Sequence, residues 1–258
     1  MAPRILSEND LRFYLYRSRS KIEMLYEQIF DSSTRSSKKQ LSVGAKVLSA
    51  SMESSSHEVV SFDQKIRAVD EELDRRQMIG TLDEPKSYFR GVMKMRWGYY
   101  NDCGTRPEDA PALVYFSGFD PTDEPLVVGL GGSFQHVEGH YGATSTWSRS
   151  AAPALTNWLI SGLKNDEPPS PIWSELYRPT AVYEGMAVAL NNFPPTKPIH
   201  VQFVAKTLSE GVLEHYDYML GVPRARMLLG TPLWVASLDL GESEQQRWGL
   251  DHDQWRAD

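Results

Sequence analysis

The chain has 258 residues, 41% of them hydrophobic and 24% charged, with a formal net charge of −7. That length buries a core without staples, and the acidic balance argues against a nucleic-acid module, whose phosphate contacts need a concentrated basic surface. Cys103 stands alone, which excludes an intrachain disulfide and a cysteine-based zinc site.

A lone thiol fits a reducing cytoplasm. The N-terminal stretch carries Glu8 and Asp10 where a signal peptide needs an apolar core, and no run approaches the ~20 apolar residues of a membrane span. The expectation is a cytoplasmic protein with neither nucleic acid nor membrane as partner. Basic residues gather at Arg17, Arg19 and Lys21 and again at Arg35, Lys38 and Lys39, and both groups read as solvated surface.

In chain order, Leu11 to Tyr16 predicts a strand with aromatic side chains on both faces. Ser20 then predicts an N-cap, with Glu23 completing a capping box, for a helix over Lys21 to Phe30. Asp31 to Lys39 offers nothing to bury and reads as a loop, followed by a loose strand over Gln40 to Ser51. Ile66, Val69 and Leu73 make an apolar stripe for a helix from Phe62 to about Met78, with Gly80 as its stop. Glu84-Pro85 reads as the start of a short helix over Lys86 to Arg90, and Gly91 to Tyr100 as a strand with Lys94 and Arg96 opposite Met95 and Trp97.

Leu113 to His140 is the most β-prone part of the chain. Two apolar runs flank Asp-Pro-Thr-Asp-Glu-Pro and predict a hairpin. Ser150 predicts the cap of a helix to Lys164 that buries Leu155, Trp158, Leu159 and Leu163. Ala181 to Leu190, His200 to Leu208 and Pro232 to Leu240 read as strands, and Val212 to Met219 as a short helix. The polar tail from Gly241 carries Trp248 and Trp255 at a spacing that suits docking on the body or on a partner. Consecutive strands without intervening helices argue against a doubly wound parallel sheet. The predicted fold is α+β: one domain over residues 1–240, a mainly antiparallel sheet of six to eight strands with two to four packed helices, and a tail over 241–258.

The block Phe13 to Ile29, together with Met-Arg-Trp-Gly at 95–98, Val-Tyr-Phe-Ser-Gly at 114–118, Val-Val-Gly-Leu-Gly-Gly-Ser at 127–133 and Leu-Gly-Thr-Pro-Leu-Trp-Val-Ala at 229–236, resembles an uncharacterised actinobacterial family of unknown function. The first block is also loosely similar to bacterial signalling and defence domains. The resemblance carries no activity, cofactor or site residue with it.

Three constellations could carry chemistry. His136, Glu138 and His140 alternate, so a continuing strand would set them on one face at ~7 Å intervals, a donor set that suits a divalent metal. Their spacing is not that of H-E-x-x-H, and the zinc-deaminase reading of His136 and Glu138 lacks its cysteine pair. Arg96 and Trp97, with Tyr99 and Tyr100 beside them, could hold an anionic or planar ligand, and Lys21 sits near a strand-to-helix turn where backbone N–H groups can meet an anion. Gly129, Gly131 and Gly132 lack the Lys-Ser/Thr of a phosphate loop and read as sites of close backbone approach. Glu210, Glu214, His215 and Asp217 read as a solvated helix face.

No catalytic set is complete. The first hypothesis is therefore a non-enzymatic ligand-binding or protein-interaction domain, taking a small molecule or a protein, with a signalling or defence role implied by the resemblance. The alternative is a metal-dependent hydrolase built on His136, Glu138 and His140. The sequence names no cofactor.

Overall fold

The computed structural model describes residues 12–40, 60–100, 113–139, 155–156, 158–160, 179–191, 197–214 and 220–238. Seven strands form one sheet: β1 (Phe13–Arg17), β2 (Ile79–Gly80), β3 (Tyr88–Tyr100), β4 (Leu113–Asp120), β5 (Leu126–Ser133), β6 (Ile199–Glu214) and β7 (Arg224–Ser237). Three helices are α1 (Arg19–Gln40), α2 (Phe62–Arg75) and α3 (Pro179–Asn191), and the described residues of 155–160 are helical as well. The α+β class holds. The chain divides into two compact units, Met1–Ser18 with Gly80–Asp258, and Arg19–Ile79.

Five strands of the larger unit close into a ring. β3 pairs with β4, β4 with β5 and β6 with β3, all antiparallel; β5 pairs with β7 in parallel, and β7 returns antiparallel to β6. β3 makes this possible by changing partners along its length: Tyr88 to Met95 lie against β6, and Arg96 to Tyr100 against β4. Partners followed from Trp97 through Phe116, Leu130, Gly230 and Thr207 lead back to the first strand at Ser87, ten residues before the start. That stagger fixes the tilt of the strands, and a ring of five is narrow enough for side chains alone to fill it. Ring order, parallel closure and stagger are those of a Greek-key barrel of the OB type.

Alternation sorts the strand residues between inside and outside. Phe89, Met93, Met95, Val114, Phe116, Val128, Leu130, Val201, Phe203, Leu228 and Val235 fill the interior. Tyr115, Val127, Met227 and Leu229 face outward, where Leu155 and Leu159 and the α3 residues Tyr183, Met186 and Leu190 cover them. Gly185 lets α3 approach, since a Cβ there would strike the Leu159 carbonyl. The Tyr183 hydroxyl meets Ser209 Oγ at 2.6 Å. The outer face of the β4–β5 hairpin, which OB barrels use for oligonucleotides and sugars, is thus taken by the chain's own helices.

In the smaller unit, α2 begins with a capping box that the sequence reading did not name. Gln64 N–H donates to Ser61 Oγ at 3.2 Å and Ser61 N–H to Gln64 Oε1 at 2.7 Å. Ile66, Val69 and Leu73 are its buried stripe, as expected. Hydrogen bonds from Arg75 and Arg76 hold the Glu72 carboxyl down to about 2. Within the unit Lys65 approaches Glu23 of α1 at 4.0 Å and lies over the Tyr26 ring.

Several expectations are corrected. α1 starts at Arg19, so Ser20 is inside the helix rather than its cap, and the helix runs on through 31–39 instead of ending in a loop. Gly80 belongs to β2; Gln77, with φ 56°, takes the left-handed position after α2. The short helix at 86–90 is replaced by the start of β3. Ala181 to Leu190 is α3, not a strand, and the chain at 212–214 is still β6. The strand reading of 40–51 and the tail with Trp248 and Trp255 lie outside the described residues.

Candidate functional site

The two ends of the barrel differ in chemistry. At the first, where β3 ends, Trp97 stacks on Phe116 with ring centroids 5.6 Å apart, and Phe116 meets Tyr16 edge-on at 6.4 Å. Tyr16 is fully buried and seated over Gly132, where any Cβ would strike its ring. Burial pushes its hydroxyl well above the usual tyrosine range, against the pull of Ser18. β5 stops at Ser133, and a 3-10 turn over Phe134–His136 brings His136 edge-on to Tyr16 at 5.9 Å. Val137 bridges to Tyr16, and Glu138 N–H donates to the Leu15 carbonyl at 2.9 Å.

This geometry rearranges the proposed metal set. Because the strand ends at Ser133, His136 and Glu138 do not alternate along it as expected. Arg17 Nε donates to Glu138 Oε1 at 2.7 Å and Arg17 Nη2 to Oε2 at 2.9 Å, so both carboxylate oxygens are engaged by one guanidinium. Among the described residues no group of three His, Cys, Asp or Glu side chains is placed to hold a metal ion. His140 lies outside those residues.

Of the other candidates, Trp97 joins His136 and Glu138 at this end. Arg96 does not: it pairs with Ser117 on the outward face while Trp97 pairs with Phe116 on the inward one, so the two line opposite sides of the sheet. Lys21 lies in α1, within the other compact unit. Tyr99, 47% exposed, caps the aromatic row against Trp97 and Phe134.

At the opposite end is a cleft of about 730 Å³ that the sequence reading did not find. Three segments line it: the β4–β5 turn with Asp123, Glu124 and Pro125; β6 with Glu210 and Val212; and the start of β7 with the residues before it, Val222, Pro223, Arg224 and Arg226. The parallel pairing of β5 and β7 creates it, since both strands begin at this end and their preceding turns meet there. Arg226 N–H donates to the Pro125 carbonyl at 2.7 Å and ties the two turns together.

Arg226 is the fixed point of the cleft. Its Nη2 donates to the carbonyls of Asp83 at 2.9 Å and Leu82 at 3.3 Å and to Glu210 Oε1 at 3.0 Å. Nε–H and the Nη1 group have no partner among the described residues. A guanidinium held by one nitrogen, with the rest of its fork open, is suited to receive an anionic group. Val212, Val222, Pro125 and Pro223 add apolar wall.

Fold and site together define a small Greek-key barrel protein with a charged cleft at one end and a packed aromatic plug at the other. The chain belongs to a family of unknown function, DUF7019, whose sequence profile matches residues 12–239. Neither a curated protein nor a solved structure gives a match. Among the described residues no helix is long and apolar enough to cross a membrane.

Proposed function

We propose that this is a non-enzymatic binding domain whose site is the Arg226 cleft, taking a small ligand through an anionic group. The observation that carries the reading is the Arg226 guanidinium itself, 22% exposed, anchored through Nη2 and with its remaining donors unpartnered among the described residues. A cleft of about 730 Å³ lies within the range of small-molecule sites, which pair apolar walls with a few convergent polar groups. The net charge of −7 and the covered outer face of the β4–β5 hairpin support a partner other than nucleic acid. The lone cysteine supports a cytoplasmic setting for this reading, and a role in signalling or defence extends the sequence resemblance.

The hydrolase reading has less behind it, because a metal at His136 would have to take Glu138 from a two-bond pair with Arg17. The test is a thermal-shift and calorimetric titration with benzoate, succinate and inorganic phosphate on the wild type and on Arg226→Gln. At least one of these anions stabilises the wild type, and the variant loses that response while keeping its fold by circular dichroism. An anion response that survives Arg226→Gln, or none from these three or from any other small ligand that carries a carboxylate or phosphate, overturns the reading.

A further inference from the structure

The cleft has a second pole. Asp123 and Glu124, on the turn whose Pro125 carbonyl accepts from the Arg226 backbone, are exposed and have no ionic or hydrogen-bonded partner among the described residues. Elsewhere on the rim charges are matched: Arg224 lies 3.7 Å from Glu214, and Glu210 is bonded to Arg226. The lining therefore offers an open guanidinium and two open carboxylates, with Val212, Val222 and Pro223 as apolar surface in the same cleft. A simple anion would satisfy the first and be repelled by the second. A simple cation would meet the reverse.

We infer that the ligand is a small zwitterion, an amino acid or a peptide of two or three residues, with its carboxylate on Arg226, its ammonium on Asp123 and Glu124, and an apolar side chain against Val212, Val222 and Pro223. This rests on the Arg226 cleft being the binding site and adds the substrate class. The two poles act separately: Arg226 supplies directed donors to a planar carboxylate, and the two acids supply diffuse attraction to a rounded ammonium that needs no fixed geometry. Such a site prefers a zwitterion to either half of it.

The experiment screens the twenty standard amino acids, dileucine and trileucine by thermal shift, then measures the best binder by calorimetry beside its N-acetyl and its amide derivative. Each blocked form should bind at least about tenfold more weakly, the size expected when one charged partner is lost at an open site. In the double variant Asp123→Asn/Glu124→Gln the N-acetyl penalty should vanish while the amide penalty remains; in Arg226→Gln the pattern should reverse. Both variants change exposed or rim positions, and their urea midpoints report that they fold.

Free amino acids and peptides are separated by which member of the screen binds. A binder indifferent to N-acetylation, or an acetyl penalty that persists in the double variant, overturns the inference. If benzoate, succinate or phosphate binds through Arg226 and no zwitterion does, the inference falls while the cleft reading stands. If nothing binds, both fall.

Discussion

Each end of the barrel holds an arginine beside a glutamate, and the two pairs do opposite things. Arg17 meets Glu138 through two nitrogens and two oxygens, with side chains only 17% and 28% exposed. The pair fastens the 3-10 turn to β1, and the aromatic plug packs beside it. Arg226, a lining residue of the cleft, meets Glu210 through a single nitrogen, and the rest of its guanidinium has no partner among the described residues. The lesson is about satisfaction rather than residue type: a charge with its hydrogen-bonding capacity used is structure, and one with capacity left over can bind something. The sequence reading chose the closed end because its His and Glu residues sit close together in the chain.

The largest effect that would sharpen this contrast belongs to the aromatic end. Phe116 is fully buried between Trp97 and Tyr16, so Phe116→Ala should cost about 3–5 kcal/mol through lost burial and the cavity left behind. Urea unfolding followed by tryptophan fluorescence measures it. Ligand response at the cleft should survive in whatever fraction remains folded. If the substitution is nearly neutral, the plug does not hold that end of the barrel together.

The hairpin of β4 and β5 was legible because two β-prone runs flank a turn rich in Pro and Asp, and the register from Leu113 opposite Ser133 to Asp120 opposite Leu126 is unbroken. α3 was not legible. Ala181, Tyr183, Met186, Ala187 and Leu190 are buried on more than one face, which erases the helical period, and Gly185 looks like a breaker until Leu159 is seen against it. β6 was cut short because a register shift between Thr207 and Ser209 breaks its alternation. The polar second half of α1 carries no apolar stripe, so nothing in its pattern separated helix from loop.

The cleft was hidden for another reason. Asp123, Glu210 and Arg226 come from three distant segments, and only the parallel closure of β5 on β7 joins them. Arg226 sits in no motif that marks it in the sequence. Trp97, His136 and Glu138 were found and do share one end of the barrel, but the sequence could not show that Arg17 had already claimed the carboxylate.

A smaller effect comes from the tyrosines. Burial pushes the hydroxyls of Tyr16 and Tyr115 well above their usual range and that of Tyr100 up to about 12. The unfolded chain ionises its tyrosines near 10, so this stabilisation is complete below that pH and is lost as the pH climbs through the folded values. Urea midpoints should therefore fall between about pH 9 and 11, before phenolate absorbance from these residues appears in the folded protein. Tyr16→Phe should flatten part of that fall. Titration of all twelve tyrosines near 10 with no change in midpoint would show that the aromatic end is open to water.

The smallest expected effect is the most informative about the two arginines. Double-mutant cycles with Arg17→Met and Glu138→Gln at one end, and Arg226→Met and Glu210→Gln at the other, measure each pair's coupling without the other losses a single substitution brings. The closed pair should couple by about 1–3 kcal/mol, as charged two-point hydrogen bonds sheltered from solvent do. The open pair should couple by roughly 0.2–1 kcal/mol, since Glu210 is 43% exposed and one contact joins them. Adding the best cleft ligand should change the second coupling and leave the first alone, because only Arg226 shares its guanidinium between a protein carboxylate and the bound one. Equal couplings, or a ligand effect on Arg17 and Glu138, would erase the distinction between the two ends and return the aromatic end to candidacy.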